Sequence, residues 1–530
     1  MPTPALSGLS ARIFERTLAR LARLRGELED LQRAYGDRED LPGIETLIGA
    51  MMLVNAEIER LVGRRARQLA DSPGPSHDEA FRQRVGGYLA SIETLLPHPL
   101  DIARRPHGRD IEALVPVFTR LASSISGGRD LIFEPGVDYE FQDSLIEKLI
   151  EYADQVSGDL TTALRKMPHL TVISYPAQLD SDTLLHSVLA HEIAHLALLK
   201  VASSEPASIG EMKINASIDE NYTELQAELA VKLPPEIELS RGEEMLAELL
   251  TKTRRRIKRW FTELACDSLA LRMVGPAFLF ALVELELASN RWAQESQMPG
   301  YSTHPGLGWR VRRLIPGARE WFPVNRRGPA WMAGRTALTE IDGWLPDEHD
   351  EITDLERKII EEALTRLEDQ ATVYQALGAS GEYLRGTFAT DLEVVWHKLD
   401  SGIPPAERIL GRSMPSARPL RRHLRPRALA RSSERTFRNK IDLPEPWSAP
   451  MDWRSVLNGA WVFWLDDRAR TPTDSDEQRS LPIARSAMRD WRDFNDHIRG
   501  TIELCGVHAH LSELRDQLDV LNLPGGDDRC

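Results

Sequence analysis

Between Val188 and Leu199 the chain reads VLAHEIAHLALL, two histidines and a glutamate set into an otherwise uncharged and apolar stretch. No other feature constrains the fold as strongly. A helix that is apolar nearly all round is a buried helix, and burying two imidazoles and a carboxyl group without partners is costly. Any fold this chain adopts must therefore bring matching groups to His191, Glu192 and His195. Residues four apart on an α-helix differ in direction by about 40°, so the two imidazoles point the same way one turn apart and can share one tetrahedral metal. Glu192 lies between them and can take a proton from water at the metal's open position. The pattern His191-Glu192-x-x-His195 thus predicts a metal centre with one zinc ion per chain.

Such a centre needs another protein ligand. Glu263 stands in FTELACDSLAL, and Asp267 follows four residues later on the same helix face. Glu263 is placed to bind the metal while Asp267 accepts the far N–H of a ligating histidine. The plainer reading, two solvated acids, is opposed by the apolar neighbours Leu264, Ala265, Cys266, Leu269 and Ala270. A third segment, STHPGLGWRVRRL, carries His304 before a proline, which biases it away from the α region and suits a side chain aimed into a cleft.

Composition narrows the rest. With 530 residues, two to four domains are expected. Three cysteines without a CxxC pair provide no disulfide framework, so a reducing compartment is expected and any metal should sit on His and carboxylates. The Arg-studded N-terminus lacks the apolar stretch of a secretory signal, and the most apolar run, Val274 to Ala288, is too short and too charged to span a bilayer. These features point to a cytoplasmic protein with no membrane span. A net charge of -15 argues against bulk attraction to nucleic acid. There is no P-loop, no GxGxxG after a strand and no Gly-x-Ser-x-Gly elbow.

Apolar residues at helical spacing predict a hairpin or bundle from Leu9 to about Leu96. Asp130 to Pro135 and His169 to Pro176 read as strands, with a helix over Phe141 to Val156 between them. Asp180 and Ser181 offer an N-cap to the helix that carries His191 and ends near Lys200. Further helices are predicted over Asn221 to Lys232, Arg241 to Met273 (ended by Val274-Gly275-Pro276), Val274 to Ala288, Ile352 to Ala376, Tyr383 to Leu399 and Ser486 to Cys505. The expected fold class is α+β, mainly helical. Its expected division is a helical region 1–120, a metal-bearing domain 121–325 and a mainly helical region 326–530.

Taken together, His191-Glu192-x-x-His195, Glu263-x-x-x-Asp267 and Thr303-His304-Pro305 with Arg310, Val311 and Leu314 resemble the gluzincin metallopeptidases related to CAAX prenyl protease and HtpX. The resemblance covers about Asp130 to Pro316. It implies a zincin-like core and a zinc endopeptidase acting on a protein or peptide substrate. His191, His195 and Glu263 would be ligands, Glu192 the general base, Asp267 the group behind a ligand and His304 a transition-state hydrogen-bond donor. Arg310 would support substrate or structure, and the His169 to Pro176 strand would line the cleft. The chain departs from the family in lacking membrane helices and in carrying Cys266 before Asp267, where packing is the plain reading and a redox-sensitive or inhibitory thiol the sharper one.

Weaker signals lie elsewhere. Arg408 to Lys440 has eleven basic residues and one acid. It is read as a solvated strip against the acidic remainder; the alternative makes it the working surface of a non-hydrolytic, zincin-fold regulatory protein that binds nucleic acid or a nucleotide ligand. His508-Ala509-His510 reads as a surface turn, and AWVFWLDD (Ala460 to Asp467) as a local core or docking face. The flanking regions are expected to regulate the peptidase, and the sequence does not specify the oligomeric state.

Overall fold

The computed structural model describes residues 4–35, 42–71, 114–126, 130–136, 138–142, 149–150, 153–154, 158–167, 170–176, 182–199, 209–233, 239–289, 305–345, 352–400, 451–469 and 494–507. They fall into two compact units, one comprising Met1–Arg109 with Ser126–Ala177 and the other Asp110–Ile125 with Gln178–Cys530. This differs from a division at 120 and 325. The strands belong with the N-terminal helices, and the C-terminal helices belong with the HExxH segment, because packing partners rather than chain order define each core.

In the first unit, helices α1 (Pro4–Tyr35) and α2 (Pro42–Asp71) pack against one another. Leu21, Leu24, Leu28 and Leu31 recur every three or four residues on α1, and Leu47, Met51, Val54, Ile58 and Val62 do the same on α2; all are buried. Inside this seam the Asn55 side-chain amide donates to the Leu21 carbonyl at 3.2 Å. Three strands follow the helical pair: β1 (Asp130–Gly136), β2 (Glu140–Gln142) and, after a short helix α3 (Gly158–Leu164), β3 (Leu170–Pro176). Their order is β1-β3-β2, with β1 parallel and β2 antiparallel to the central strand. β3 is buried along its whole length, as the run LTVISY demands. Phe141 corrects the expected Phe141 to Val156 helix at its start: it pairs with Ile173 in the sheet, where cross-strand packing outweighs local helical spacing.

The second unit is helical. A 3₁₀ turn, Leu185–Val188, leads into α4 (Leu189–Leu199), which carries the HExxH residues. The expected cap at Asp180 and Ser181 lies outside the described residues. α5 (Ile209–Glu220) and α6 (Tyr222–Val231) precede α7 (Leu239–Val274), whose 36 residues extend about 54 Å. α7 ends where expected, at Gly275, with φ of 78°. A Cβ there would meet the Asn458 side chain at 3.0 Å, so both backbone conformation and space select glycine.

α8 (Ala277–Ser289) is the buried apolar helix, and α9 (Leu307–Arg319) follows. Next come α10 (Pro329–Trp344), α11 (Asp354–Glu368), α12 (Gln370–Gly381), α13 (Arg385–Asp400) and α14 (Trp453–Ala469). The expected Ile352 to Ala376 helix is two, parted at Asp369, whose ψ of 131° is not helical. A Thr353 and Glu356 capping box opens the first of them, and Glu356, almost wholly buried, accepts from Arg256 of α7 at 2.5 Å. Residues 494–507 form a final helix. Among the described residues the fold is mainly helical with one small sheet, and no helix is long and apolar enough to cross a membrane.

Candidate metal centre

α4 lies against the C-terminal half of α7, and this contact builds the site. The His191 ring sits between two carboxylates of α7: its Nδ1 is 2.8 Å from Asp267 Oδ1 and its Nε2 is 3.1 Å from Glu263 Oε2. The i, i+4 spacing on α7 makes this clamp, since it sets both acids on the face turned to α4. Arg310, one turn into α9, closes the far side of Asp267 with two hydrogen bonds, Nε to Oδ2 at 2.8 Å and Nη2 to Oδ1 at 2.7 Å. Trp309 beside it packs on Trp260 of α7, with ring centroids 5.8 Å apart.

The His191 and His195 rings meet edge to face at 5.2 Å between centroids, and Phe278 of α8 stacks near His191 at 6.3 Å. His191, Glu192, Glu263, Asp267 and Arg310 are all buried, while His195 is half-buried. Burial of this many charges requires mutual compensation. Burial raises the Glu192 carboxyl to about 7, with the His191 charge opposing and Glu263 adding to the rise. Burial works against a charge on His191 too, but the hydrogen bonds to Asp267 and Glu263 outweigh it and lift the imidazole to about 10. Asp267 is held well below the ordinary carboxylate range: burial opposes this, and the Arg310 guanidinium and the His191 contact prevail.

The donor set fits a divalent cation. Glu192, Glu263 and Asp267 bring three negative charges when ionised, against the single permanent positive charge of Arg310. With His191 neutral, as a ligand must be, the two charges left over are what one divalent ion neutralises; without an ion, the His191 proton offsets one of them. Glu263 Oε2 and His191 Nε2, at 3.1 Å, are also close to the roughly 3.3 Å that separates two ligands on a tetrahedral ion about 2.0–2.1 Å from each.

One donor was not expected. His191, His195 and Cys266 have ligand atoms all within 4.8 Å of one another, and this group could hold a metal ion. The expectation that any metal sits on His and carboxylates did not include this thiol. Glu263 is not in that group and touches it through His191. Cys266 is fully buried, which pushes its thiol well above its usual range, with the neighbouring carboxylates adding to the effect. Its position was readable from the sequence, at three residues from Glu263 on the same helix face, but its small apolar neighbours favoured packing as its role.

His304, Arg408 to Lys440 and His508-Ala509-His510 lie outside the described residues. AWVFWLDD falls on α14, and Trp461 there is buried against Phe280, with centroids 6.2 Å apart. Its indole Nε1 donates to the Leu184 carbonyl at 3.3 Å, and Asn495 Oδ1 accepts the Thr183 N–H at 2.8 Å. These two side chains hold the backbone that enters the HExxH helix. Nothing in local sequence links residues 277 and 312 positions apart, so neither was identified as a site residue.

Comparison with protein-family models, with curated proteins and with solved structures finds no match to this chain.

Proposed function

We propose that this chain is a zinc-dependent endopeptidase with a zincin-like core, in which His191, His195 and Glu263 hold the ion and Glu192 is the general base. The observation that carries the reading is the His191 ring clamped between Glu263 and Asp267, beside His195, in a cluster where three buried carboxyl groups face one guanidinium. Two imidazoles and a carboxylate suit zinc.

When bound, such an ion supplies a Lewis acid that polarises a substrate carbonyl and eases the ionisation of water. The chain's own residues do the rest. Asp267 accepts the Nδ1–H of His191, which leaves the Nε2 lone pair free to face the ion. Arg310 keeps Asp267 ionised and oriented. Glu192 takes the proton of the attacking water as the water oxygen bonds to the carbonyl carbon, then gives that proton to the amine as the C–N bond breaks. The resemblance assigns to His304 a hydrogen bond to the oxyanion. Trp461 and Asn495 tie the C-terminal helices to the entry of α4, which supports regulation through that flank.

The test is Glu192→Gln. Zinc per chain, measured by elemental analysis, is expected to be unchanged, and the new protein N-termini that appear in cells making the wild-type chain are expected to fall by about 10²–10⁴-fold. Cleavage products made by the wild type and undiminished in the mutant would overturn the mechanism. Absence of metal from the wild type, purified without chelator, would overturn the centre itself.

A further inference from the structure

The α7 face turned to His191 carries three potential donors at i, i+3 and i+4: Glu263, Cys266 and Asp267. Asp267 is consumed by Arg310 and His191. Glu263 Oε2 is engaged with His191 Nε2. Cys266, by contrast, is grouped with both histidines, and its Sγ lies within 4.8 Å of a ring nitrogen of each. A tetrahedral ion with its sulfur at about 2.3 Å and its nitrogens at about 2.0–2.1 Å sets those atoms about 3.5 Å apart. An approach of at most about 1.3 Å between these side chains brings their ligand atoms to that spacing. Glu263, outside that group, joins it through its contact with His191 Nε2.

We infer that Cys266 is a fourth protein ligand of the centre proposed above, completing a His191, His195, Glu263 and Cys266 set that leaves no open position and so makes the resting enzyme latent. The inference rests on the metallopeptidase reading and deepens it by naming how the site is controlled. As the Sγ–metal bond forms, the thiol proton passes to solvent. Four protein ligands define a closed, structural type of zinc site, whereas catalysis needs one position for water or substrate. Release of Sγ is therefore the activating event, and Cys266→Ala produces the open centre directly.

The test uses the full chain loaded with Co²⁺ in place of zinc, because cobalt reports its ligands by colour. Wild type is expected to bind one cobalt per chain, to show an intense near-ultraviolet thiolate-to-cobalt charge-transfer band, and to keep its visible spectrum unchanged when azide is added. Cys266→Ala is expected to bind cobalt, to lack that band and to shift its visible spectrum with azide. Cys266→Ser serves as a second variant, and circular dichroism of both checks that they fold. Cobalt bound by the wild type without the charge-transfer band would show Cys266 to be packing only, leaving the metal centre standing. A band accompanied by an azide shift would overturn the closed set. Failure of the wild type to bind cobalt would remove the metallopeptidase reading and this inference with it.

Discussion

Arg310 grips Asp267 with two hydrogen bonds of 2.8 and 2.7 Å, although the two residues stand on different helices and are both buried. The same Asp267 oxygen that receives Nη2 of Arg310 also faces Nδ1 of His191, so guanidinium, carboxylate and imidazole form one line. The line orients His191 from behind. Its members come from α9, α7 and α4, and the geometry at His191 therefore depends on how three helices pack.

Arg310→Met removes the cation from this line and leaves a buried carboxylate with only His191 to face. Breaking a buried pair in this way costs about 3–5 kcal/mol. Denaturant unfolding of the metal-free protein should read a loss of that order. A change of under about 1 kcal/mol would show that Asp267 does not need Arg310.

Glu263→Gln keeps the side-chain shape and removes the charge. Metal affinity, measured by competition with a chromophoric chelator, should fall by more than the roughly 10–100-fold lost when a group that only orients a ligand is removed. Unchanged affinity would take Glu263 out of the ligand set while leaving the histidines in place.

The metal-free protein should lose stability as pH rises. His191 is lifted from 6.5 to about 10 between Asp267 and Glu263, so the folded state holds its proton more tightly than the unfolded chain does. The stability this contributes is complete below about pH 6.5 and lost as pH rises through about 10. Thermal unfolding of chelator-treated wild type and His191→Gln should show the difference between them shrinking across that window. A difference independent of pH would mean that His191 is neutral when buried.

Trp461→Phe deletes the bond to the Leu184 carbonyl and leaves a smaller ring in a fully buried position. A loss of about 2 kcal/mol in stability is expected, together with weaker metal binding, because the 3₁₀ turn that leads into α4 loses a tether. Reduced stability with unchanged metal affinity would separate α14 from the site.

Local spacing makes part of this legible along the chain. Leu21, Leu24 and Leu28 on one helix face, the break at Val274-Gly275-Pro276 and the strands at Asp130 and Leu170 all follow from periodicity and from backbone preference. Phe141 and Asp369 did not. The first is held by Ile173 across a sheet. The second interrupts a pattern that stays periodic on both sides of it, so side-chain spacing cannot register the break.

His191 and His195 were determined by the sequence as partners, because a helix sets residues four apart on one face whatever surrounds it. Glu263 and Asp267 were paired for the same reason. That His191 lies between those two acids, that Arg310 backs Asp267, that Cys266 rather than Glu263 groups with both histidines and that Trp461 steadies the approach to α4 were decided only by tertiary packing. Helical periodicity sets which residues share a face. Which faces meet is set by burial of apolar surface and neutralisation of buried charge, and both are summed over residues far apart in the chain.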